Sequence, residues 1–228
     1  MSGSLISIIL PVHNQEDHIG KIVGDYVATL EPLPIEYEIL LVTNNCRDKS
    51  PLICQKLSQE FDSVRTIDTP KGGWGHSVRL GVKEARGDLL CYTNSARTSC
   101  EILKLVLLYA ISFPNAVVKA NRKIRDNWRR RLGSLIYNLE CRALFDLPTW
   151  DINGTPKVFP RACGKLLELS RDDDLIDAEF NAICRQQGYQ ILEVPVLATE
   201  RHGGKSTTNY KSALKMYWGA YELWRNLN

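Results

Sequence analysis

Three short polar segments, each directly after an apolar run, hold the side chains of this sequence best suited to bind a ligand. The segments are 13–16, 43–45 and 94–98. Ligands of open α/β sheets collect at the carboxyl ends of the strands, so the three segments are predicted to line one crevice. The amides, hydroxyl and imidazole of the first two segments suit a nucleobase or a ribose. The candidate binding residues are Pro11, His13, Asn14, Glu16, Thr43, Asn44, Asn45, Asn94, Ser95 and Ala96.

A fourth segment, Lys71 to Gly75, combines bare backbone with a cation, which suits a phosphate. A glycine-rich loop alone is a weak signal. The Rossmann fingerprint needs its glycines right after the first strand, where residues 11–14 read Pro-Val-His-Asn, and the Walker A pattern is absent. The sequence therefore argues against a dinucleotide dehydrogenase and against a P-loop enzyme.

Charge is mild overall, at +3, but unevenly distributed. Residues 119–131 hold seven basic side chains against one acid, whereas residues 168–179 hold six acids against one arginine. The basic run predicts an anionic partner such as a phosphate or a lipid headgroup, unless it is only a solvated surface. It lacks the interleaved aromatics of a nucleic-acid stacking platform, so no nucleic-acid partner is predicted.

The seven scattered cysteines contain no Cys-x-x-Cys pair. This pattern argues against a zinc site and a disulfide framework, and favours a reducing compartment. No apolar run approaches the roughly 20 residues of a membrane span. We therefore expect a cytoplasmic protein, either free or bound peripherally to the cytoplasmic membrane face.

Strand-length and helix-length patterns alternate along the first half of the chain, which is typical of a mostly parallel, doubly wound sheet. Residues 129–143 follow with leucines at helical spacing behind three arginines, which indicates either a docked helix or one lying on a membrane surface. The final helix carries an aromatic stripe that suits the core or a membrane interface. The predicted strands are 5–10, 37–42, 64–67, 89–92, 116–120 and 191–196.

Several motifs, in consistent order along most of the chain, resemble the family-2 inverting glycosyltransferases, and most of all their dolichyl- or polyprenyl-phosphate sugar synthase branch. Residues 8–16 are similar to the first strand and Pro-x-Tyr-Asn-Glu turn of that family. The other similar segments are 38–50, 71–81 with Gly87-Asp88, 121–123, 151–159, 193–196 and 201–206. The resemblance implies the GT-A nucleotide-sugar fold in a single domain, 1–228. Residues 1–121 would form its nucleotide-sugar half, including Asp88, and residues 122–228 its acceptor and helical half.

The metal-binding Asp-x-Asp motif of that family falls on Asn94-Ser95-Ala96, which has no carboxylate. A divalent Mg²⁺ or Mn²⁺ cofactor is usual in the family, but its ligands are missing here, so no metal site and no firm cofactor are predicted. Two interpretations remain. Either Arg97, with Lys71, supplies the positive charge that stabilises the departing diphosphate, or Arg97 is a surface arginine and the fold only binds.

The resemblance also implies an acceptor site. A lipid phosphate is already anionic, so it needs cations to position it more than it needs a general base. Asp177 matches the late acidic position, where a base would serve a hydroxyl acceptor; alternatively, it is a helix-terminal acid that balances the macrodipole. The candidate acceptor residues are Arg122, Arg131, Asn153, Lys157, Arg201, Lys205 and Ser206.

The resulting hypothesis is the transfer of a hexose from a nucleotide diphosphate sugar to an anionic acceptor, polyprenyl phosphate, at a membrane surface. One alternative is a non-catalytic protein that binds sugar nucleotides, and another is a transferase acting on a soluble hydroxyl acceptor. The aromatic C-terminal helix offers a surface for a homodimer.

Overall fold

The computed structural model describes residues 4–124, 128–197 and 210–227. Strands and helices alternate through the first half of the chain, as the sequence predicts. The strands are β1 Ile6–Val12, β2 Tyr37–Asn44, β3 Val64–Thr69, β4 Leu89–Tyr92, β5 Val117–Ile124, β6 Lys157–Pro160 and β7 Ile191–Leu197. The helices are α1 Ile19–Leu30, α2 Ser50–Glu60, α3 Trp74–Glu84, α4 Cys100–Ser112, α5 Trp128–Phe145, α6 Ile176–Gln186 and α7 Tyr210–Leu227, with a 3₁₀ turn at Gly164–Leu167.

All seven strands form one sheet in the order β3-β2-β1-β4-β6-β5-β7. Neighbouring strands are parallel except at β6, which is antiparallel to both β4 and β5. The prediction of a mostly parallel sheet is therefore confirmed. β6 was missing from the prediction, because four residues reading Lys-Val-Phe-Pro show no strand alternation.

Alternate residues of the strands face two separate layers of helices. In β1, Ile8 and Leu10 pack into a cluster with α1, α2 and α4, whereas Ile9 packs into a cluster with α3 and α6. This arrangement follows from the two-residue period of a strand. Because both faces are covered, the strands read as continuous apolar runs.

A third apolar cluster joins α5 to α6 and α7 through Tyr137, Cys141 and Phe145. The opposite side of α5 is exposed, and we call it the α5 apolar face; it consists of Leu132, Leu135, Ile136 and Leu139. Thus α5 is a docked helix that also leaves an apolar stripe uncovered. In the described parts of the chain, no helix is long and apolar enough to cross a membrane.

The aromatic stripe of α7 is divided in the same way. Ala220 and Leu223 are buried, whereas Trp218 and Tyr221 are exposed. Contacts with α5 include a hydrogen bond of 2.8 Å from the Tyr217 hydroxyl to the carbonyl of Gly133. The two helices therefore form one layer with apolar side chains on its outer surface.

Candidate functional site

The carboxyl ends of β1, β2 and β4 lie side by side at one edge of the sheet, since Val12 pairs with Thr43 and Ile9 with Tyr92. We call the residues at and directly after these ends the polar edge; they are 13–16, 43–45 and 94–97. The structure thus brings together the three segments that the sequence predicts to converge. This convergence is the geometric basis of the candidate site.

The turns after β1 and β2 are joined by neutral hydrogen bonds. The Nδ1 atom of His13 lies 2.8 Å from the carbonyl oxygen of Asn44, and the Asn44 amide donates to the carbonyl of Val12 at 2.9 Å. Asn14 and Asn45 have φ angles of 50° and 46°, a left-handed conformation in which asparagine is favoured. Because His13, Asn14 and Asn45 are exposed, they are accessible to a ligand.

Two predicted binding residues at this edge are buried and support the turns. The Thr43 hydroxyl donates to Asp68 at 2.6 Å, and the Asn44 side-chain oxygen accepts the Gly73 N–H at 3.3 Å. Pro11 is likewise buried inside β1. These residues shape the crevice, and the exposed residues beside them face solvent.

Glu16 belongs to a hydrogen-bonded link between the first two turns. Its N–H donates to Asp48 at 3.0 Å, and its own carboxylate accepts the Lys49 N–H at 2.9 Å. Burial alone would raise the pKa of Asp48, but hydrogen bonds from Ser50 and from the Glu16 N–H leave it below its usual value. Asp48 therefore stays ionised and fixes both turns.

Residues 94–98 form a tight turn that is bonded internally and to the first turn. The Asn94 side-chain oxygen accepts the Ala96 N–H at 3.0 Å, and the Ser95 hydroxyl donates to the Gln15 side chain at 2.6 Å. Ser95 and Ala96 are buried, while Arg97 is half-buried. The turn is thus held in one conformation before any ligand arrives.

The residues of this turn do not fit a divalent cation. Ala96 has no donor atom, and the side-chain oxygens of Asn94 and Ser95 are already engaged within the protein. Hard cations are usually held by carboxylates as well as by neutral oxygens. Across residues 4–124, 128–197 and 210–227 there is no group of three or more His, Cys, Asp or Glu side chains placed to hold a metal ion.

In the glycine loop, Gly73 and Gly75 lie against the backbone of residues 171–173. A Cβ atom on Gly75 would lie 2.3 Å from the carbonyl oxygen of Arg171, and one on Gly73 would lie 2.5 Å from that of Asp172. Gly73 also has a φ of 137°, which an L side chain rarely adopts. These two glycines therefore allow the close approach of residues 171–173.

Lys71 is paired within the protein as well. Its ammonium group donates to Asp172 at 2.6 Å, and Arg79 donates to the other oxygen of the same carboxylate at 2.6 Å. The hydrogen bond from Lys71 is the largest of the effects that hold the pKa of Asp172 below its usual value. The sequence showed Asp172 only as part of an acidic run, so its role here was missed.

Asp88 is the predicted binding residue that the structure places elsewhere. Its N–H donates to the carbonyl of Leu5 at 2.8 Å, and its carbonyl accepts the Arg161 N–H at 2.8 Å. These contacts lie at the amino end of β4, whereas the polar edge is at the carboxyl end. The whole length of β4 separates Asp88 from the crevice, which corrects the prediction.

A set of buried charges lies on the other side of β4, and we call it the charged network. Arg122 donates to both oxygens of Asp151, at 2.7 and 2.8 Å, and this pair tethers β5 to the 151–157 turn. Glu193 of β7 accepts the N–H groups of Trp150 and Asp151. The members of the charged network are Lys119, Arg122, Asp151, Lys157, Asp177 and Glu193.

Lys157 and Asp177 form a buried ion pair at the centre of the charged network. The Tyr92 hydroxyl donates to the same carboxylate oxygen at 2.9 Å. Burial lowers the pKa of Lys157, and burial next to Lys157 lowers that of Lys119 to about 8. Asp177 therefore has a structural partner in Lys157.

The remaining predicted acceptor residues are only partly described. The side-chain oxygen of Asn153 is buried, and within the described residues it has no hydrogen-bond partner. Arg131 lies in α5, but its side chain is outside the described set. Arg201, Lys205 and Ser206 also lie outside the described residues.

Most of the polar edge lies in a segment that matches a known protein family. Residues 7–96 match the model of Glycosyl transferase family 2, a range that runs from β1 to the turn after β4. Residues 7–96 of this chain are thus similar to the family-2 glycosyltransferases. The match includes all three segments of the polar edge up to Ala96.

Curated relatives cover most of this chain. Glycosyltransferase AglD of Haloferax volcanii is 26% identical over 206 residues, which is 86% of this chain and 33% of AglD. An undecaprenyl-phosphate 4-deoxy-4-formamido-L-arabinose transferase of Pseudomonas fluorescens is 25% identical over 207 residues, which is 88% of this chain and 59% of that protein. This chain thus spans about one third to three fifths of the length of these relatives.

Solved structures resemble the whole fold. The crystal structure of glucosyl-3-phosphoglycerate synthase from Mycobacterium tuberculosis, in complex with Mn²⁺, uridine diphosphate and phosphoglyceric acid, superposes with a TM-score of 0.73 at 13% identity. The superposition covers 97% of this chain and 77% of the synthase. The likeness shows the fold, which is the GT-A fold expected from the sequence.

Proposed function

We propose that this protein transfers a hexose from a nucleotide diphosphate sugar to a polyprenyl phosphate, with inversion at the anomeric carbon. The convergence of the polar edge at the carboxyl ends of β1, β2 and β4, in the segment similar to the family-2 glycosyltransferases, carries the proposal. In the reaction, an acceptor phosphate oxygen bonds to the anomeric carbon as the bond to the nucleotide diphosphate breaks. The nucleotide diphosphate leaves with that electron pair.

On the donor side, the proposal assigns the base and ribose to exposed amides and His13, and the diphosphate to the 94–97 turn. This turn lacks metal ligands, so we assign the stabilising positive charge to Arg97. Preorganised cations stabilise a developing anion without a metal ion. Lys71 reaches the same phosphates only if it exchanges its ion pair with Asp172 for one with the ligand.

On the acceptor side, the name of the Pseudomonas fluorescens relative supports a lipid phosphate, since it is an undecaprenyl-phosphate sugar transferase by name. Arg122 and Lys157 lie near the 151–157 turn and reach the acceptor phosphate only if they exchange their ion pairs with Asp151 and Asp177 for one with the ligand. The buried, unpartnered oxygen of Asn153 offers an acceptor for a hydrogen bond from a ligand or from a side chain outside the described residues. The α5 apolar face would rest on the cytoplasmic membrane face, and α7 is the surface through which two copies would pair.

The first experiment is calorimetric binding of UDP-glucose and GDP-mannose, with and without EDTA, to the wild type and to Arg97→Ala. A charge-assisted hydrogen bond contributes about 1.5–3 kcal/mol, so Arg97→Ala should weaken binding by about 10- to 100-fold. EDTA should leave wild-type binding unchanged. Binding that requires Mg²⁺ or Mn²⁺ would contradict the metal-independent site.

One observation favours a second function, which is binding of sugar nucleotides without transfer. The positions expected to hold a catalytic metal carry an amide and a methyl group, and the Asn94 oxygen is bonded inside the turn. Under this alternative, the donor sugar binds but is never consumed. Turnover assays with undecaprenyl phosphate in detergent separate the two functions.

The role of Asp177 separates a phosphate acceptor from a soluble hydroxyl acceptor. A hydroxyl needs a general base, whereas a phosphate oxygen is already anionic. Asp177→Asn should therefore leave kcat with polyprenyl phosphate within about tenfold of the wild type, a loss smaller than removal of a general base causes. A greater loss of kcat in a correctly folded variant would favour the hydroxyl acceptor.

A further inference from the structure

Trp150 is an exposed residue directly before the 151–157 turn of the charged network, with its ring stacked on one cation and its backbone bonded to the network. The ring is 50% exposed. The guanidinium carbon of Arg142 lies 3.9 Å from the ring centre, and the Trp150 N–H donates to Glu193 at 3.1 Å. An exposed tryptophan that is fixed by its backbone and stacked on a cation is a preorganised contact surface.

Arg142 connects Trp150 to the α5 apolar face. Residues seven apart on a helix lie nearly on the same side, so Arg142 continues the row of Leu135. Leu139, one turn before Arg142, is also exposed. The α5 apolar face therefore leads along the helix to the Trp150 ring, which lies next in sequence to Asp151 and its ion pair with Arg122.

The charges around Trp150 suit an amphiphile with an anionic head. Arg142 donates to the carbonyls of Pro148 and Thr149, and no carboxylate of the described residues pairs with it. The described part of this surface thus joins an apolar row, an aromatic ring and a cation not balanced by a carboxylate. A phosphate attached to a hydrocarbon chain complements all three.

We propose that Trp150, positioned by Arg142, binds the first isoprene units of the lipid phosphate acceptor and makes the enzyme selective for a long hydrocarbon chain. The inference rests on the proposed transfer to polyprenyl phosphate. It assigns to Trp150 a contact with substrate and to Arg142 a positioning role. The phosphate lies toward the 151–157 turn, and the chain lies over the exposed side of the ring toward Leu139.

The test compares acceptors of different chain length in the wild type, Trp150→Ala and Trp150→Phe. Loss of a buried aromatic contact should raise KM for undecaprenyl phosphate by about tenfold or more. KM for a short-chain phosphate such as butyl phosphate, and the Kd for the nucleotide sugar, should change by less than about twofold. Trp150→Phe keeps an aromatic ring, so its KM for undecaprenyl phosphate should lie between those of the wild type and Trp150→Ala.

Phe113→Ala is the matched control, because Phe113 is an aromatic residue of similar exposure, 49%, at the far end of α4. It should leave both KM values unchanged. Arg142→Ala should reproduce part of the Trp150→Ala increase in KM for undecaprenyl phosphate. Thermal unfolding of each variant checks that the fold is intact, and if Trp150→Ala is unfolded, Trp150→Phe and Arg142→Lys carry the test.

Direct binding of undecaprenyl phosphate in detergent distinguishes this inference from the proposed function. Chain-length-dependent binding that is lost in Trp150→Ala, without any turnover, would keep the inference and reject the transfer reaction. Turnover that is equally efficient in Trp150→Ala and the wild type would reject the inference alone. A last assay measures how much protein sediments with anionic vesicles that contain no acceptor. If Trp150→Ala weakens this vesicle binding by the same factor as it raises KM for undecaprenyl phosphate, Trp150 binds the bilayer surface and the inference is wrong.

Discussion

The polar edge and the charged network lie on either side of β4 and are held together by different chemistry. In the polar edge, hydrogen bonds without an ion pair join the turns, such as Ser95 to Gln15 and the Glu16 N–H to Asp48. In the charged network, ion pairs with little exposure to solvent join β5 to the 151–157 turn and β6 to α6. A substitution that breaks a contact in the polar edge removes one hydrogen bond. A substitution that removes one partner of an ion pair in the charged network leaves the other charge buried without a counter-ion.

The largest expected effect is on the buried pair of Lys157 and Asp177. Asp177→Ala leaves the Lys157 ammonium without its counter-ion and should lower the free energy of unfolding by about 3–5 kcal/mol. The double variant Lys157→Met/Asp177→Ala should recover part of that loss, because no charge is stranded. Urea denaturation measures both, and a single-variant loss below about 1 kcal/mol would contradict the comparison.

Lys119 provides a pH-dependent version of the same test. Its folded-state pKa of about 8 lies below the unfolded value of about 10.4. The unfolded chain therefore binds more protons between these values, so wild-type stability relative to Lys119→Met should rise with pH there. The slope is at most about 1.4 kcal/mol per pH unit.

Denaturation of both proteins at pH 7, 8, 9 and 10 checks this slope. Other titrating groups are common to the two proteins and cancel in the difference. If the difference in unfolding free energy between the two proteins stays constant from pH 8 to 10, folding does not lower the pKa of Lys119 and the expectation is wrong.

Gly75 tests the junction between the first half of the chain and the loop before α6. Gly75→Ala places a methyl group against the Arg171 and Asp173 carbonyls and should cost about 1–3 kcal/mol. Gly133→Ala in α5 is the control, since nothing lies within 4 Å of its Cβ position. It should stabilise the protein by about 0.5–1 kcal/mol, and equal effects of the two variants would rule out the close approach.

The smallest expected effect belongs to the polar edge. Ser95→Ala removes the hydrogen bond to Gln15 and should cost about 0.5–1.5 kcal/mol. Ser58→Ala, at a half-buried position of α2 where the hydroxyl bonds only the Gln55 carbonyl of the same helix, should change stability by less than about 0.5 kcal/mol. A Ser95→Ala loss as large as that of Asp177→Ala would remove the distinction between the two regions.

The sequence predicted the sheet well where apolar runs were long. The second predicted strand, 37–42, corresponds to β2 at Tyr37–Asn44, and the strand at 191–196 corresponds to β7. The convergence of three strand ends followed from parallel pairing alone. β6 escaped prediction because it is four residues long and its place beside β4 is set by contacts distant in sequence.

The candidate site was predictable in position but less so in detail. The residue types predicted which amide side chains lie at the polar edge. They could not show that the backbone of residues 171–173 packs against Gly75 or that Lys71 pairs with Asp172. Those contacts join positions about 100 residues apart. Asp88 shows the converse. It is only six residues before Asn94 in sequence, yet it lies at the other end of β4.

The close approach of Gly73 and Gly75 to residues 171–173 has an evolutionary consequence. The family match ends at Ala96, but the backbone beyond it fits into the glycine loop, and β6 pairs directly with β4. Recombination that joined residues 1–96 of this chain to the second half of a relative would bring together surfaces that never adapted to each other. The two halves of the chain therefore have to change together, because a side chain enlarged on one side of this contact needs a compensating change on the other.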